Sequence, residues 1–193
     1  MRVPFAGLVL AGGAGERWGG PKAWALLPDG RSFLTSCAET LQAGGAARVA
    51  ATLPPGTAAL GVRGLRCLEL PRPGMDMFSS LGWGLAGLAA EWPWEAVVVL
   101  PVDHPLVAPA TVTALVAAGP PAAIPTLHGR HGHPICLWRE LAEQIAQGTL
   151  TGPTLRQVLR AAGARDVPVE DTGVRANCNT PEQLRAALEQ LGA

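Results

Sequence analysis

Residues 5–28 read FAGLVLAGGAGERWGGPKAWALLP, and the change of character within that stretch decides the fold. Its first seven residues, Phe5 to Ala11, are aliphatic, aromatic or small, with no polar alternation. That is the pattern of a strand buried on both faces, as in a parallel sheet. Glycines follow at 12, 13 and 15, and beyond them come Arg17 and Lys22. A buried strand running into glycines and then cations makes a seat for phosphate. Glycine admits positive φ and lets amide N–H groups approach an anion with no Cβ in the way. Two known phosphate loops do not fit. A P-loop lysine is followed by Ser or Thr, whereas Lys22 is followed by Ala23. The dinucleotide fingerprint needs Gly-x-Gly-x-x-Gly opening a helix, and Gly13, Gly15 and Gly20 do not keep that spacing. The two prolines of GGPKAWALLP (19–28) also make a poor helix start. The plain alternative is a tight turn after a strand, with two solvated basic residues.

Outward from this stretch, short apolar runs alternate with helical patterns. Candidate strands are 47–53, 65–71, 95–103, 122–127, 132–138 and 166–170; candidate helices are 33–45, 78–92, 108–119, 138–147, 153–162 and 180–192. The run EAVVVLPVD (95–103) is valine-rich and ends in proline and aspartate, which makes it the strongest strand signal in the chain. The last helix has a clear start, with Asn179 or Thr180 as cap and Pro181, Glu182 and Gln183 in the first turn. Strands alternating with helices of this length predict an α/β fold with a mainly parallel sheet. No internal repeat or long linker divides the chain, so residues 1–193 read as one domain.

Composition narrows the function. The chain is 48% hydrophobic and balances 15 basic against 15 acidic residues, which excludes general disorder and a broad basic surface for nucleic acid. A small, local positive site remains open. Cysteines at 37, 67, 136 and 178 are widely spaced with no Cys-x-x-Cys pair, which points to reduced thiols in a cytoplasmic protein. Pro4 interrupts the first apolar stretch, which runs straight into the glycines and does not read as a signal peptide. No apolar run approaches the roughly twenty residues that span a bilayer.

Four further segments carry candidate chemistry. Asp103 stands just past the end of the valine-rich strand, in PVDHP (101–105). Ligands collect at that edge of an open α/β sheet, and a carboxylate there is a place for Mg²⁺ or else a turn-forming Asp-x-Pro. Gly74, Ser79 and Ser80 precede the helix at 78–92 or open it, where hydroxyls and amides meet an anion or simply cap. His128, His131 and His133 lie close together, with Cys136 beyond, but their spacing matches no common zinc pattern. In RANCNTPEQL (175–184), Asn177 and Asn179 offer neutral oxygens to a metal or cap the last helix.

The ordered pattern Leu-Ala-Gly-Gly-x3-Arg-x-Gly-x-Pro-Lys, from Leu10 to Lys22, resembles the signature loop of the nucleotidyltransferases with a Rossmann-like (GT-A-like) fold. Within them it is most similar to the MobA-like NTP transferases, which join a nucleoside monophosphate to the molybdenum cofactor. The resemblance implies a three-layer sandwich and a loop of Leu10, Ala11, Gly12, Gly13 and Gly15 wrapped round a nucleoside triphosphate. It implies Arg17 and Lys22 on the phosphates and Mg²⁺ on Asp103. Trp18 departs from it, the family having methionine there. The Gly-Met-x-x-Ser-Ser-Leu-like stretch resembles the cytidylyl relatives and implies substrate contacts by Ser79 and Ser80. GRHGHPICL (129–137) resembles the strand entry bordering the acceptor pocket, with Arg130 and His133 toward the acceptor's phosphate. Asn177 and Asn179 resemble the guanylyl branch. The resemblance spans the chain in these segments, and residues 45–70 carry nothing specific.

The implied function is a Mg²⁺-dependent nucleotidyltransferase, with Arg17, Lys22 and Asp103 catalytic. A phosphate on the acceptor attacks the α-phosphorus of an NTP and pyrophosphate leaves. A phosphate monoester is ionised near neutral pH, so the absence of a Ser-His-Asp set or carboxylate pair fits: catalysis is positioning plus charge neutralisation. The expected acceptor is molybdopterin, with a sugar or polyol phosphate as the rival. A non-catalytic nucleotide-binding accessory of molybdoenzyme maturation is the reading from another class. A molybdoenzyme or maturation factor is an implied partner; nucleic acid and membrane are not. GTP is favoured over CTP, because Gly12 stands where the cytidylyl relatives have alanine and leaves room beside the base.

Overall fold

A computed structural model describes residues 3–13, 15, 18–57, 62, 65–150 and 154–192. Among them, eight strands form one sheet: β1 (Phe5–Leu10), β2 (Arg48–Leu53), β3 (Arg66–Glu69), β4 (Ala96–Pro101), β5 (Ala122–Leu127), β6 (Arg130–His131), β7 (Ile135–Trp138) and β8 (Arg165–Pro168). The order is β3-β2-β1-β4-β7-β5-β6, with β8 paired to β5. β1 is parallel to β2 and β4, β2 to β3, and β5 to β8; β7 runs antiparallel to both β4 and β5. The sheet is therefore mixed and mostly parallel. The exception has a simple cause. The chain passes from β5 through the short β6 into β7 without a helix, and so short a connection reverses direction where a parallel return needs a long crossover.

Among the described residues, six α-helices cover the two faces: α1 (Phe33–Ala43), α2 (Met77–Glu91), α3 (Pro109–Ala118), α4 (Arg139–Ala146), α5 (Leu155–Ala161) and α6 (Pro181–Leu191). Successive strand residues point to opposite faces, and the two cores divide accordingly. Val9, Ala51, Val98 and Leu100 pack with Phe33, Leu41, Val112, Leu115 and Leu184 of α1, α3 and α6. Leu8, Leu10, Val97 and Val99 pack with Leu81, Leu85, Leu141, Ile145 and Leu159 of α2, α4 and α5. Every residue of β1 and β4 is buried, as their unbroken apolar runs require in the middle of three layers. Helix starts follow local chemistry: Ser32, Asp76 and Thr180 each accept from the amide three residues on, and Thr154 and Gln157 form a reciprocal capping box.

The strand order reverses at β1, since β2 and β3 lie to one side and β4 to the other. That switch point is where the loops leaving two parallel strands part and open a crevice. The ends of β1 and β4 are in register, Leu10 opposite Pro101, and the Val102 amide donates to the Leu10 carbonyl at 3.0 Å. The glycine loop and Asp103 thus leave the sheet side by side.

Candidate active site

Lys22 stands at the start of a short 3-10 turn, Lys22–Trp24, where the prolines had argued only against an α-helix. Its Nζ lies 3.3 Å from Asp103 Oδ2 and donates to Asn179 Oδ1. Asn179 Nδ2 in turn donates to Asn177 Oδ1. The loop 177–179 is fixed to the end of β4 by the Cys178 amide, which donates to the Asp103 carbonyl at 2.7 Å. Trp18 ties the glycine loop to the same place: its indole N–H donates to the Cys178 carbonyl at 3.2 Å, and its ring meets Phe33 edge-on at 5.3 Å. That double role explains a large aromatic side chain at Trp18. Three segments remote in sequence therefore converge on one ammonium, one carboxylate and two amide oxygens.

The predicted nucleotide loop lies directly alongside. Leu10 and Ala11 are buried. The Ala11 amide donates to the Thr52 carbonyl and hydroxyl and so is engaged in the fold. Among the described residues, the Gly12 and Gly13 amides meet no main-chain acceptor. Gly15 has φ +65°, and a Cβ there would run into the Gly20 carbonyl, so only glycine closes this turn. A Cβ on Gly12 would run into Leu70. The space left by the missing methyl is thus filled by the protein's own core, which removes the steric argument for a larger base. Arg17 lies outside the described residues.

The serines are placed differently from the sequence reading. Helix α2 starts at Met77, so Ser79 and Ser80 lie within its first turn, and the cap is Asp76. Ser79 donates its hydroxyl to Asp76 Oδ2 at 2.6 Å and its amide to Oδ1 at 2.9 Å, completing the cap. Ser80 is buried on the side of Gly12, the better placed of the two beside the loop. Asn179 likewise does not cap α6, whose cap is Thr180; its side chain belongs to the Lys22 cluster.

On the other side of Asp103 opens a cavity of about 1130 Å³. Arg130, Arg156, Arg160 and Arg175 line it, and among the described residues Asp166 is the one carboxylate on its wall. Asp166 is engaged by His131 Nε2 at 2.8 Å. The wall therefore carries a marked positive excess in a chain of zero formal charge. His133, Asn177 and His104 also line it, so the cavity reaches the Lys22–Asp103 cluster. His133 and His104 stack obliquely with ring centroids 4.8 Å apart. Burial pushes the His133 imidazole down to about 4 and lowers that of His104 as well, so both are neutral near pH 7.

The oxygen set suits a small, hard divalent cation. Asp103 supplies a carboxylate, Asn177 and Asn179 supply amide oxygens, and the Lys22 ammonium already stands among them as a cation. Among the described residues no three His, Cys, Asp or Glu side chains cluster as metal ligands. The three histidines thus form no such site, and a cation at Asp103 would draw its remaining ligands from water and substrate. The four cysteines are free thiols. Burial raises Cys178 to about 11 and pushes Cys37 and Cys136 well above the ordinary thiol range, so none of these three is a nucleophile near neutral pH. No described helix is long and apolar enough to cross a membrane.

Compared with known proteins, residues 7–169 match the family model of the MobA-like NTP transferase domain. The chain belongs to this family. This MobA-like transferase is 33% identical to the molybdenum cofactor guanylyltransferase of Acidiphilium cryptum, the match covering 93% of this chain and 92% of that one. Its fold is that of the Rv0371c protein of Mycobacterium tuberculosis, with TM-score 0.79 at 24% identity over 98% and 99% of the two chains. A manganese complex of that protein matches at TM-score 0.75, with 24% identity over 96% and 98%. The 2-C-methyl-D-erythritol 4-phosphate cytidylyltransferase of Thermus thermophilus has the same fold, with TM-score 0.68 at 21% identity over the whole of both chains. The MobA-like chain is a nucleotidyltransferase.

The sequence reading left Asn179 open between a metal-facing oxygen and a helix cap, and passed over His104 beside its aspartate. The available signal for His104 was its place in PVDHP (101–105), at the edge of the sheet where ligands bind.

Proposed function

We propose that this protein transfers GMP from GTP to the phosphate of molybdopterin, releasing pyrophosphate. The observation that carries the reading is the Lys22–Asp103–Asn179 cluster, set between a glycine loop and an arginine-lined cavity. The loop from Leu10 to Gly15 would take the triphosphate on its amides, with Arg17 and Lys22 on the phosphates that leave. Asp103, aided by Asn177 and Asn179, would hold Mg²⁺. When bound, that cation supplies charge neutralisation for the transferring and leaving phosphates. Ser80 would stand beside the nucleotide, Ser79 completing the cap that fixes it. The acceptor would enter by the cavity, where Arg130, Arg156, Arg160 and Arg175 favour an anion and His133 lies beside His104 at the Asp103 end. Its phosphate is ionised at neutral pH, so attack on the α-phosphorus needs no general base, and rate comes from in-line positioning and charge.

The name of the relative from Acidiphilium cryptum supports guanine over cytosine, an argument that does not depend on the room beside Gly12. The test is competition of GTP and CTP at equal concentration with molybdopterin and Mg²⁺, followed by mass analysis of the dinucleotide product. The expected product is the guanine dinucleotide. Predominant CMP transfer overturns the choice of base alone. Transfer to sugar or polyol phosphates but not to molybdopterin overturns the acceptor, and tight GTP binding with no pyrophosphate released from any acceptor overturns the enzymatic reading of this chain.

A further inference from the structure

Helix α3 has no side-chain cap of its own. Its cap position is Ala108, whose methyl accepts nothing, and Pro109 opens the first turn. Helix α1 shows how this chain caps locally. There Ser32 accepts from the Thr35 amide at 3.1 Å and lies 2.8 Å from the Thr35 hydroxyl. α3 has the matching threonine, Thr111, but not the serine. The acceptor comes instead from a loop 60 residues beyond Thr111. Asp171 Oδ2 accepts from the Ala108 amide at 2.8 Å and from the Thr111 hydroxyl at 2.7 Å. A carboxylate suits a helix N-terminus, yet a serine at 108 would cap as well from within the helix.

The other oxygen of Asp171 serves a second segment. Oδ1 accepts from the Gly173 amide at 2.9 Å and so caps the 3-10 turn Thr172–Arg175. That turn touches both halves of the site. Gly173 packs so closely on the chain following Asp103 that a Cβ would run into the Leu106 carbonyl. On the side of the cavity, the Val174 carbonyl accepts from the His133 amide at 2.9 Å. Arg175 Nη1 donates to the His131 carbonyl at 2.7 Å. The chain then runs on to Asn177 and Asn179 beside Lys22.

We infer that Asp171 is a positioning residue for the transfer reaction. Its carboxylate, shared between α3 and the turn at 172–175, sets the loop that carries Arg175, Asn177 and Asn179 against the Asp103 segment. The inference rests on the nucleotidyltransferase reading above and adds a residue away from the reacting groups on which their geometry depends. The place calls for aspartate. Two donors from α3 and one from the turn converge on its two oxygens, and a carboxylate carries no hydrogen of its own. An amide must turn its NH₂ toward one segment and so release it. A displacement of about 1 Å in such a site can cost a hundredfold in rate, which a cap on α3 alone would not.

Two variants separate capping from positioning. Asp171→Asn keeps the side-chain volume and releases one of the two segments. Asp171→Ala combined with Ala108→Ser gives α3 the local cap that α1 uses and leaves the turn unheld. In the double variant, the melting temperature that Asp171→Ala alone loses should largely return. With GTP and molybdopterin, well below that temperature, kcat should stay about ten- to a hundredfold down in the double variant and in Asp171→Asn. The acceptor KM should rise in both, metal-free GTP binding should move less than about twofold, and Ala108→Ser alone should turn over as wild type. Full return of kcat in the double variant means that Asp171 only caps α3, and it overturns the inference, as does wild-type kcat in Asp171→Asn. Hydrogen exchange of the free double variant, read by nuclear magnetic resonance, tests the same point without turnover. Faster exchange at the His133, Gly173 and Cys178 amides, with α3 unchanged, is expected. Wild-type protection at those three amides, or a loss spread evenly over α3 as well, overturns the inference and leaves the nucleotidyltransferase reading intact. Wild-type protein that releases no pyrophosphate with any phosphorylated acceptor overturns that reading and the inference with it, whatever the exchange pattern.

Discussion

Lys22 and Asp103, 81 residues apart in sequence, meet at 3.3 Å with their side chains about one-fifth exposed. A half-open ion pair of this kind adds only about 0–1 kcal/mol to stability, so its presence at the mouth of the crevice is better explained by what it binds. Lys22→Ala should lower kcat/KM about a hundred- to a thousandfold, the magnitude usual for a group that stabilises developing charge, while the melting temperature shifts by no more than a few degrees. A pyrophosphate-release assay beside a thermal melt checks both. Near-wild-type turnover in a folded variant removes Lys22 from the phosphate site.

The same pair makes a prediction about metal alone. In the free protein the ammonium competes for the carboxylate and the Asn179 oxygen that a divalent cation would use. Mn²⁺ without nucleotide should therefore bind more tightly to Lys22→Ala than to the wild type, as measured by loss of the free-ion signal in electron paramagnetic resonance. Asp103→Asn should bind it more weakly than either, and in turnover it should raise the half-saturating Mg²⁺ concentration while leaving metal-free GTP binding little changed. An unchanged half-saturating concentration moves the metal to other ligands.

The parts of the molecule that sequence made legible are those set by local pattern. The all-buried runs of β1 and β4, the positive φ of Gly15 and the capped start of α6 each carry their cause within a few residues. Lys22 and Asp103 were legible as residues at two strand ends, because parallel neighbours must bring those ends together. What stayed hidden depends on partners distant in the chain. The two-residue strand β6 exists only by pairing with β5. Asn179 reads as a cap or as a metal-facing oxygen alike until Lys22, 157 residues away, takes its oxygen. No spacing rule says that the fold buries Nδ1 of His104 without a partner. The serines of α2 misled for a related reason: Asp, Ser and Thr all cap, and only the backbone shows that Asp76 is used.

Gly12 tests whether a motif glycine serves the ligand or the core. Leu70, 2% exposed, fills the space where a Gly12 side chain would go. Gly12→Ala should cost about 1–3 kcal/mol through overpacking, read as a lower urea midpoint with unchanged slope. In a Leu70→Ala background the same substitution should cost much less, since the colliding atoms are gone. Equal costs in the two backgrounds would mean that Leu70 is not what excludes a methyl here.

His133 supplies a pH test of the cavity floor. Burial depresses its pKa from the ordinary 6.5 to about 4. Above pH 6.5 the ring is neutral in both folded and unfolded chains, and the full stability is present. Between about 6.5 and 4 the unfolded chain takes a proton that the folded one refuses, so stability falls as pH falls, and below about 4 the loss levels off. The whole effect is about 1–3 kcal/mol. Carboxylates contribute their own decline in acid, so the informative quantity is a difference: unfolding free energy of wild type minus that of His133→Asn, measured by urea denaturation from pH 7.5 to 4.5. That difference should be constant above pH 7 and then shrink steadily as the solution is acidified, because the variant has no imidazole to protonate on unfolding. A difference that stays flat across the whole range would place His133 in water, and with it the inner end of the cavity on which the acceptor site depends.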